Sequence, residues 1–347
     1  MKTLKIFLVI TGCTLIINIV TAQDVHFSQY NNSPLVINPS NAGSINTDYR
    51  VNLNYKNQWS SIHQAYATYC FSYDMGLLKK EIHSGYPAIG INIMQDIAGE
   101  TRLANTNASL SFVYHVPIKN TQYLSGAIQA GILQNSIDES KLKWDNQYIG
   151  EAGFDPNLPS GENSSFENVI AGDFSAGLSW NYNSKISYLN ANDARSITLG
   201  IAGFHLNRPF ITFYNNHEIY NRLYPRFVFS GNSYFGIKNT NLGIMPSALL
   251  MYQGVQHEII AGCLVKYRIK EPSHYTYYIN TTSVAIGGSY RFKDAIILES
   301  QFEFSGFTLG FSYDINISRL RVATYGRGGM ELSLIYKAYK KRSASKY

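Results

Sequence analysis

The feature that most restricts the fold is a strict alternation of bulky apolar residues with small or polar ones near the C-terminus. In Phe307–Ile315, every odd-numbered residue is bulky and apolar, and every even-numbered residue is small or polar. Successive side chains of a β-strand point to opposite faces, whereas a helix would scatter this pattern around its axis. Gly329–Ala338 repeats it, with Met330 on one face and Glu331 on the other. The alternation predicts strands that separate an apolar environment from a polar one.

Strand-like segments recur along the whole chain after residue 23, and no stretch there combines a 3.6-residue period with helix caps. Most are longer than the ~5–6 residues usual in globular proteins. They match the ~9–11 residues that a tilted strand needs to cross a bilayer. The fourteen predicted strands are Tyr49–Gln58, Gln64–Asp74, Gly85–Asp96, Thr101–His115, Gln122–Ile137, Phe174–Lys185, Ser196–His205, Arg226–Gly236, Asn241–Gln253, His257–Arg268, Tyr278–Arg291, Ala295–Phe304, Phe307–Ile317 and Gly329–Lys340.

An even number of long antiparallel strands is typical of a bacterial outer-membrane barrel. Closure of such a sheet removes the unpaired edges that hydrocarbon does not tolerate. We therefore predict an all-β fold, a transmembrane β-barrel of about 14 antiparallel strands over residues 49–340, in the outer membrane of a diderm bacterium. The soluble alternative is a large secreted β-sandwich, but its outer face would carry more charge than a chain with 15% charged residues supplies.

The first residues are predicted to form a cleavable signal peptide, residues 1–22. A short basic start is followed by an apolar stretch that ends at the small residue Ala22. The stretch is short for a membrane anchor, and no stop-transfer charges follow it. The two cysteines that remain after cleavage, Cys70 and Cys263, are too few for a disulfide scaffold or a zinc site.

Two segments outside the strands have more than one interpretation. Residues 23–48 are rich in Pro and Asn and too irregular for a wall strand. They could fill the lumen or hang into the periplasm as an arm, and the burial that Phe27, Tyr30 and Leu35 require favours the lumen. The basic tail, residues 341–347, is either a solvated end or a contact for an acidic partner.

The two longest connections, Asp138–Asp173 and Leu206–Pro225, follow the fifth and seventh predicted strands. If both chain termini are periplasmic, both loops face outward, which is the usual asymmetry of such barrels. Their aromatic and charged side chains could form a protein-contact surface, a calcium site using Asp145, Asp155 or Glu162, or internal packing of the rim. The predicted partner-binding residues are Trp144, Tyr148, Phe154, Asp155, Arg208 and Phe210.

No catalytic set is visible, so we predict no enzyme, no metal and no cofactor. The eight His residues form neither an H-x-H nor an H-E-x-x-H spacing. Gly177–Asn181 lacks the final Gly of a serine-hydrolase elbow. Spacing alone leaves open a Ser–His pair on the barrel wall, as a lipid hydrolase would need. The net charge of +6 without a Lys/Arg cluster before the last residues gives no support for nucleic-acid binding.

Eight short segments match, in order, the motifs of one protein family. They are Gln23–Tyr30, Pro34–Gly43, Tyr55–Trp59, Phe71–Asp74, Asp96–Gly99, Phe154–Glu162, Gly310–Asp314 and Gly329–Leu334. In these the chain resembles the PorP/SprF family of type IX secretion membrane proteins. The N-terminal motif is carried by Phe27, Gln29, Tyr30, Asn38 and Pro39. Small departures are Val25 in place of the usual Pro and Lys56 in place of Arg.

The resemblance implies a role in secretion and surface attachment of large adhesins or other cargo with a C-terminal sorting domain, and for some relatives a link to gliding motility. The implied partners are a secreted surface protein or adhesin, other type IX secretion components and membrane lipid. Two functions therefore remain: a non-enzymatic barrel that supports a partner protein, or a passive pore or small-ligand transporter. Lumen occupancy discriminates between them, since about fourteen strands leave room for a channel unless the lumen is filled.

Overall fold

A computed structural model describes residues 24–58, 66–79, 84–150, 153–162, 166, 168–184, 192–211, 213, 222–270, 282–319 and 321–338. Its main feature is a closed antiparallel barrel of 14 strands, in which each strand pairs with its sequence neighbours and the last pairs with the first. The seam between the first and last strands is continuously paired from Tyr49↔Ala338 to Gln58↔Gly329. The predicted all-β barrel is confirmed.

The strands are β1 (Tyr49–Gln58), β2 (Tyr66–Gly76), β3 (Tyr86–Ala98), β4 (Leu103–Lys119), β5 (Gln122–Ser136), β6 (Val169–Asn183), β7 (Arg195–Phe204), β8 (Arg226–Gly236), β9 (Leu242–Gln253), β10 (Gln256–Lys270), β11 (Thr282–Arg291), β12 (Ala295–Phe304), β13 (Phe307–Asn316) and β14 (Arg327–Ala338). Two one-turn helices are α1 (Pro34–Ile37) and α2 (Arg321–Thr324), and short 3-10 turns cover Tyr30–Asn32, Pro39–Asn41, Glu139–Lys141 and Asp145–Gln147. No helix in the described ranges has the length and apolar character needed to cross a membrane.

Strand boundaries differ from the prediction mainly in two places. β6 begins at Val169 rather than Phe174, because the extra residues continue the ladder with β5, so the loop between these strands is shorter than predicted. β4 continues to Lys119, and the predicted end at His115 was wrong. A register shift between Pro117 and Lys119 lets the ladder accommodate a residue without an N–H. The predicted start of β11 at 278 lies outside the described residues.

The two faces of the wall follow the alternation. On β13, Leu309 and Phe311 are exposed on the outer face, whereas Ser312 and Asp314 are buried inside. Glu331 on β14 is likewise buried between exposed apolar neighbours. On these strands the barrel is therefore apolar outside and polar inside, as expected for a wall in contact with lipid.

The two ends of the barrel differ. Odd-numbered strands finish at one end, which carries the β5–β6 connection (137–168) and the β7–β8 connection (205–225). We call it the long-loop end. The opposite end holds the start of β1, the end of β14 and tight turns such as Ser305–Gly306. The interior core lies between the wall and residues 24–48, which occupy the lumen.

Candidate functional site: a filled lumen beneath the long-loop end

The N-terminal segment, residues 24–48, crosses the lumen from one end to the other. At the long-loop end, Asp24 N donates to Gln253 Oε1 on the last residue of β9 (2.8 Å). Near the opposite end, Gly43 N donates to Asp74 Oδ2 on β2 (2.8 Å). Asp48 then leads into β1 there. The start of the described chain thus lies at the end that carries the long loops.

The middle of the segment is held by apolar packing. Leu35, Tyr30 and Phe27 are each 1% exposed, so they are as buried as the core of a globular protein. Full burial of such a side chain stabilises by roughly 1.5–3 kcal/mol. Three clusters join the segment to the wall: Tyr30 and Ile37 with Ala202, Phe204, Val228, Leu249, Met251, Ile260 and Ile297; Leu35 and Ala42 with Ala88, Val113 and Ala127; and Phe27 and Val36 with Cys70.

A charged cluster of the wall holds the backbone near the long-loop end. The Glu331 carboxylate accepts from Ser28 N (2.7 Å) and Gln29 N (2.9 Å). The Ser28 hydroxyl donates to Asp314 Oδ2 (2.7 Å) and accepts from Arg291 Nη2 (2.5 Å). Arg291 Nη1 in turn lies 3.0 Å from Asp314 Oδ2. Charge-assisted hydrogen bonds are strong in a water-poor interior, and the loss of one partner would leave a buried charge uncompensated.

A second polar contact fixes the first described residue, and we call it the Asp24 latch. His205, which follows β7, lies 2.7 Å from Asp24 through Nε2 and 2.9 Å from Asp173 through Nδ1. Arg226 Nη1 is 3.5 Å from the same Asp24 oxygen. Burial opposes the charged form of His205, but its hydrogen bonds to Asp173 and Asp24 outweigh burial and raise its pKa to about 9. Burial also opposes ionisation of Asp24, yet Arg226 and His205 hold its pKa below the usual range.

Asn38 explains why the N-terminal motif combines Asn with Pro. Its Nδ2 donates to the main-chain oxygens of Leu178 (3.0 Å) and Ile201 (3.2 Å) on two adjacent strands. Its Oδ1 accepts from Ser40 N (2.9 Å) and so caps the turn that begins at Pro39. A side chain at Gly177 would overlap Asn38, so the wall is glycine where the segment approaches it most closely.

In the part of the chain that the structure describes, a Ser–His pair lies in the barrel wall. His115 Nδ1 lies 2.7 Å from Ser125 Oγ, and His115 Nε2 lies 2.8 Å from Ala42 O. Because a carbonyl only accepts, Nε2 carries the proton and Nδ1 accepts from the hydroxyl. Both side chains are buried on the lumen face beneath Ala42. The pair therefore fastens the segment and presents no nucleophile to lipid.

At the long-loop end, the predicted residues of the β5–β6 loop form a small hairpin. Tyr148 and Phe154 are bridge partners with ring centroids 5.5 Å apart. Lys143 Nζ lies 5.6 Å from the Phe154 ring, and Trp144 is the N-cap residue of the short turn Asp145–Gln147. Tyr148 is exposed, whereas Trp144 and Phe154 are half-buried. The hairpin thus combines internal packing with an exposed aromatic face.

Asp155 has a structural partner within the same hairpin. Its Oδ1 accepts from Asn157 N (2.9 Å) and Asn157 Nδ2 (3.0 Å), as in an Asx turn. Across the described ranges, no three His, Cys, Asp or Glu side chains are grouped closely enough to hold a metal ion. The calcium interpretation of this loop therefore gains no geometric support from the described residues.

The predicted residues of the β7–β8 loop also pack on aromatic partners. Arg208 lies over the Tyr224 ring at 5.4 Å, and Arg222 lies over the Phe210 ring at 4.1 Å. The two loops meet where the rings of Phe166 and Phe213 are 6.3 Å apart in an edge-on arrangement. The six predicted partner-binding residues therefore lie at one end of the barrel, on two loops in contact.

The sequence distinguished the N-terminal motif residues from the predicted loop residues. It did not predict which wall residues hold the N-terminal motif in place. The N-terminal motif residues are all buried in the lumen, whereas the loop residues surround its mouth. The wall partners Glu331, Arg291 and His205 were not predicted. The only indication of these partners in the sequence was the presence of charged side chains at positions that face the lumen. An empty, water-filled channel would have the same charged side chains.

Together these observations define a class: an outer-membrane β-barrel whose lumen is occupied by its own N-terminal segment. The chain belongs to the PorP/SprF family of type IX secretion system membrane proteins, whose family model matches residues 19–336. That match covers nearly the whole chain and agrees with an outer-membrane location. No curated protein sequence matches the chain.

Solved structures similar to this chain include membrane barrels of several kinds. The CymD monoaromatic hydrocarbon channel is 8% identical, with a TM-score of 0.45 over 92% of this chain and 96% of that one. The beta domain of the Bordetella autotransporter BrkA is 11% identical, with a TM-score of 0.40 over 84% and 99%. CdiB from Acinetobacter baumannii is 7% identical, with a TM-score of 0.42 over 84% of this chain, which spans only 60% of that protein.

Proposed function

We propose that the barrel is a non-enzymatic platform that supports export or surface attachment of a secreted partner, either an adhesin or cargo with a C-terminal sorting domain. The observation that carries the proposal is the occupied lumen. Residues 24–48 fill it with a chain that is hydrogen-bonded along its length to β2, β4, β6, β7, β13 and β14. The family membership supports a role in secretion, since its members are type IX secretion system membrane proteins.

The filled lumen argues against the alternative of a passive pore or small-ligand transporter. A conducting pore needs a continuous polar path, but three apolar clusters join the segment to the wall along its route. Release of the segment would break buried charge-assisted contacts at Glu331 and Arg291. Such contacts are costly to break without replacement partners.

In this proposal the partner docks at the long-loop end, which faces the outside of the cell. Aromatic residues supply much of the binding energy of protein interfaces. Tyr148, Phe154 and Trp144 lie on one hairpin there, and Phe210 and Arg208 lie on the loop in contact with it. Other type IX components would contact the remaining surfaces of the barrel and its periplasmic end.

The test is a deletion strain complemented with intact protein or with a Trp144→Ala, Phe154→Ala double variant. The matched control is Val255→Ala, an exposed apolar residue in the β9–β10 turn at the same end. Surface partner and inserted barrel are quantified separately, together with uptake of small solutes.

We expect deletion to abolish display of one partner and leave solute uptake unchanged. The double variant should reduce display strongly, as removal of hot spots worth about 2 kcal/mol each would do, while Val255→Ala retains it. Normal display in the deletion strain would refute the function. Normal display with the double variant alone would refute only the docking site.

A further inference from the structure

The loop between β13 and β14 combines unpaired positive charge with exposed apolar surface. Arg319, Arg321 and Arg327 are exposed there. Val322 and Tyr325, on and just after α2, are 87% and 88% exposed, so they have almost no protein contacts. Residues 315–330 contain no Asp or Glu. Within the described ranges, no ion pair or hydrogen bond engages the three guanidinium groups.

This patch lies on the rim of the barrel, and its residue Arg327 lies on the side of the wall that faces lipid. A register shift between Tyr313 and Ile315 changes the side on which the first residue of β14 lies. Arg327 is the register partner of Ile315 beyond this shift, so both side chains lie on the same face of the sheet. Ile315 belongs to the outward apolar face of β13. An arginine at this position extends from the apolar wall towards the head groups, as long cationic side chains at membrane boundaries do.

A neighbouring turn holds the loop down at the level of the strand ends. Ile317 N and Ser318 N both donate to Asp294 O in the β11–β12 turn, at 2.8 and 3.1 Å. The same turn adds Phe292, which is exposed, with Lys293 Nζ 5.3 Å from its ring. Aromatic side chains beside cations are typical of the membrane–water interface.

The charge on the opposite side of the same rim differs. The described part of the β5–β6 loop contains five acids and two lysines: Asp138, Glu139, Asp145, Asp155, Glu162, Lys141 and Lys143. An anionic ligand at the long-loop end would therefore favour the β13–β14 side. Guanidinium groups bind phosphate bidentately, and an adjacent apolar surface suits acyl chains.

We propose that Arg319, Arg321 and Arg327 form a binding site for the phosphate groups of an anionic outer-leaflet lipid, beside which Val322 and Tyr325 enter the apolar layer. Lipid, rather than an acidic protein, is the occupant because Arg327 shares the lipid-facing side of the wall and the loop is fastened at the strand ends. The site would fix how deeply the barrel lies in the leaflet and how it is oriented there. It lies on the side of the barrel away from the acidic β5–β6 loop.

The test uses the purified mature barrel in detergent and labelled diphosphoryl lipid A as the probe. The variant is Arg319→Gln, Arg321→Gln, Arg327→Gln. The matched control removes the same charge from the opposite end: Arg195→Gln, Lys238→Gln, Lys270→Gln, all at exposed positions. Heat-modifiable gel migration verifies folding of each protein.

We expect the dissociation constant for lipid A to rise roughly tenfold or more in the variant, since each basic residue near an anionic surface contributes about 1 kcal/mol. The control should stay within about twofold, and dephosphorylated lipid A should bind intact protein and variant equally. If the variant does not fold, intact protein alone tests the proposal. Its binding of lipid A should weaken with added salt and should require the lipid phosphates.

Three results would overturn the proposal. Equal lipid A affinity of variant and intact protein would show that the arginines do not hold phosphate. Binding of inorganic phosphate as tight as that of lipid A would assign the site to a free anion. Displacement of lipid A by a poly-glutamate peptide at lower concentration would assign the patch to an acidic protein.

Discussion

At the residue scale, a few polar side chains decide how the lumen is filled. Asn38 ties the N-terminal segment to main-chain oxygens of β6 and β7, and the wall opposite it is Gly177. Glu331 receives two successive N–H groups of the segment. Each contact satisfies groups that would otherwise be buried without partners, at a cost of about 1–3 kcal/mol for each such group.

Gly177→Ala should displace the segment from the wall. The new Cβ would overlap the Asn38 side chain. Overpacking of this kind costs typically about 1–3 kcal/mol. Hydrogen exchange of residues 34–42, followed by mass spectrometry, should speed up. The control is Gly172→Ala, where an added Cβ meets nothing within 4 Å. Unchanged hydrogen-exchange protection of residues 34–42 in the Gly177 variant would contradict the described contact between Asn38 and Gly177.

The Asp24 latch should make stability depend on pH. The pKa of His205 is raised to about 9, so its contribution is complete below its ordinary pKa of about 6.5 and is lost as the pH rises through about 9. Asp24, whose pKa is lowered, keeps its contribution above about pH 4 and loses it only in stronger acid. Intact protein should therefore exceed His205→Gln in stability by about 1.5–3 kcal/mol at pH 6.5, and this difference should shrink as the pH rises from about 6.5 to about 9.

The measurement is the difference in thermal midpoint between intact protein and His205→Gln across this pH range. Other titrating groups contribute to both proteins and cancel in the difference. A difference that stays constant from pH 6.5 to 10.5 would show that the imidazole carries no charge in the latch.

At the element scale, the N-terminal segment fills the lumen of the barrel and does not form an independent domain. Its helices are one turn long, and among the described residues its buried apolar side chains pack on the wall and on one another. Short helices of this kind are unstable alone in water. The segment and the barrel therefore stabilise each other, and loss of the segment should expose both the apolar and the charged groups of the lumen face.

A variant without residues 24–43 should conduct ions in planar bilayers, because the removed chain occupies the lumen between Asp24 and Gly43. Intact protein should remain closed under the same voltage. Heat-modifiable migration of both proteins verifies that the barrel has formed. A folded deletion variant with the low conductance of the intact protein would show that wall side chains or loops close the lumen by themselves.

At the scale of the whole molecule, the closed sheet separates two environments. Every strand is paired on both sides, including the β1–β14 seam, so no edge is open to hydrocarbon. The outer wall carries apolar side chains, and the ionised groups lie inside or at the rims. The cost of an added charge on the outer wall should therefore depend on its depth in the bilayer.

Phe311→Arg should destabilise the folded barrel by about 2–4 kcal/mol, because Phe311 lies in the middle of β13 on the lipid face. The matched control is Phe304→Arg, on the same face but at the end of β12, where the cost should be only about 0–1 kcal/mol. Unfolding free energies in lipid vesicles provide the measurement. Equal costs at both positions would place the strands differently relative to the bilayer.

The alternation in the sequence was sufficient to predict the strands and their inward and outward faces, and the even number of long strands predicted the closed barrel. The strands and their faces are local properties, because one residue's side is determined by its position along its own strand. β1, β8 and β12 begin and end as predicted, and Leu309 and Ser312 lie on the predicted faces. The boundaries of β4 and β6 failed because ladder pairing with β5, rather than residue type, extends them.

Only the tertiary structure decided what fills the barrel. Asp24 meets His205 across 181 positions of the sequence, and Ser28 meets Glu331 across 303. No periodicity within a segment encodes such pairs, because they exist only once the wall has closed and its inward charges converge on one chain. Buried charges require partners, and burial of Tyr30 and Leu35 requires an apolar wall. The sequence alone determined which face of each strand points inward, and closure of the barrel around residues 24–48 filled the interior that those faces enclose.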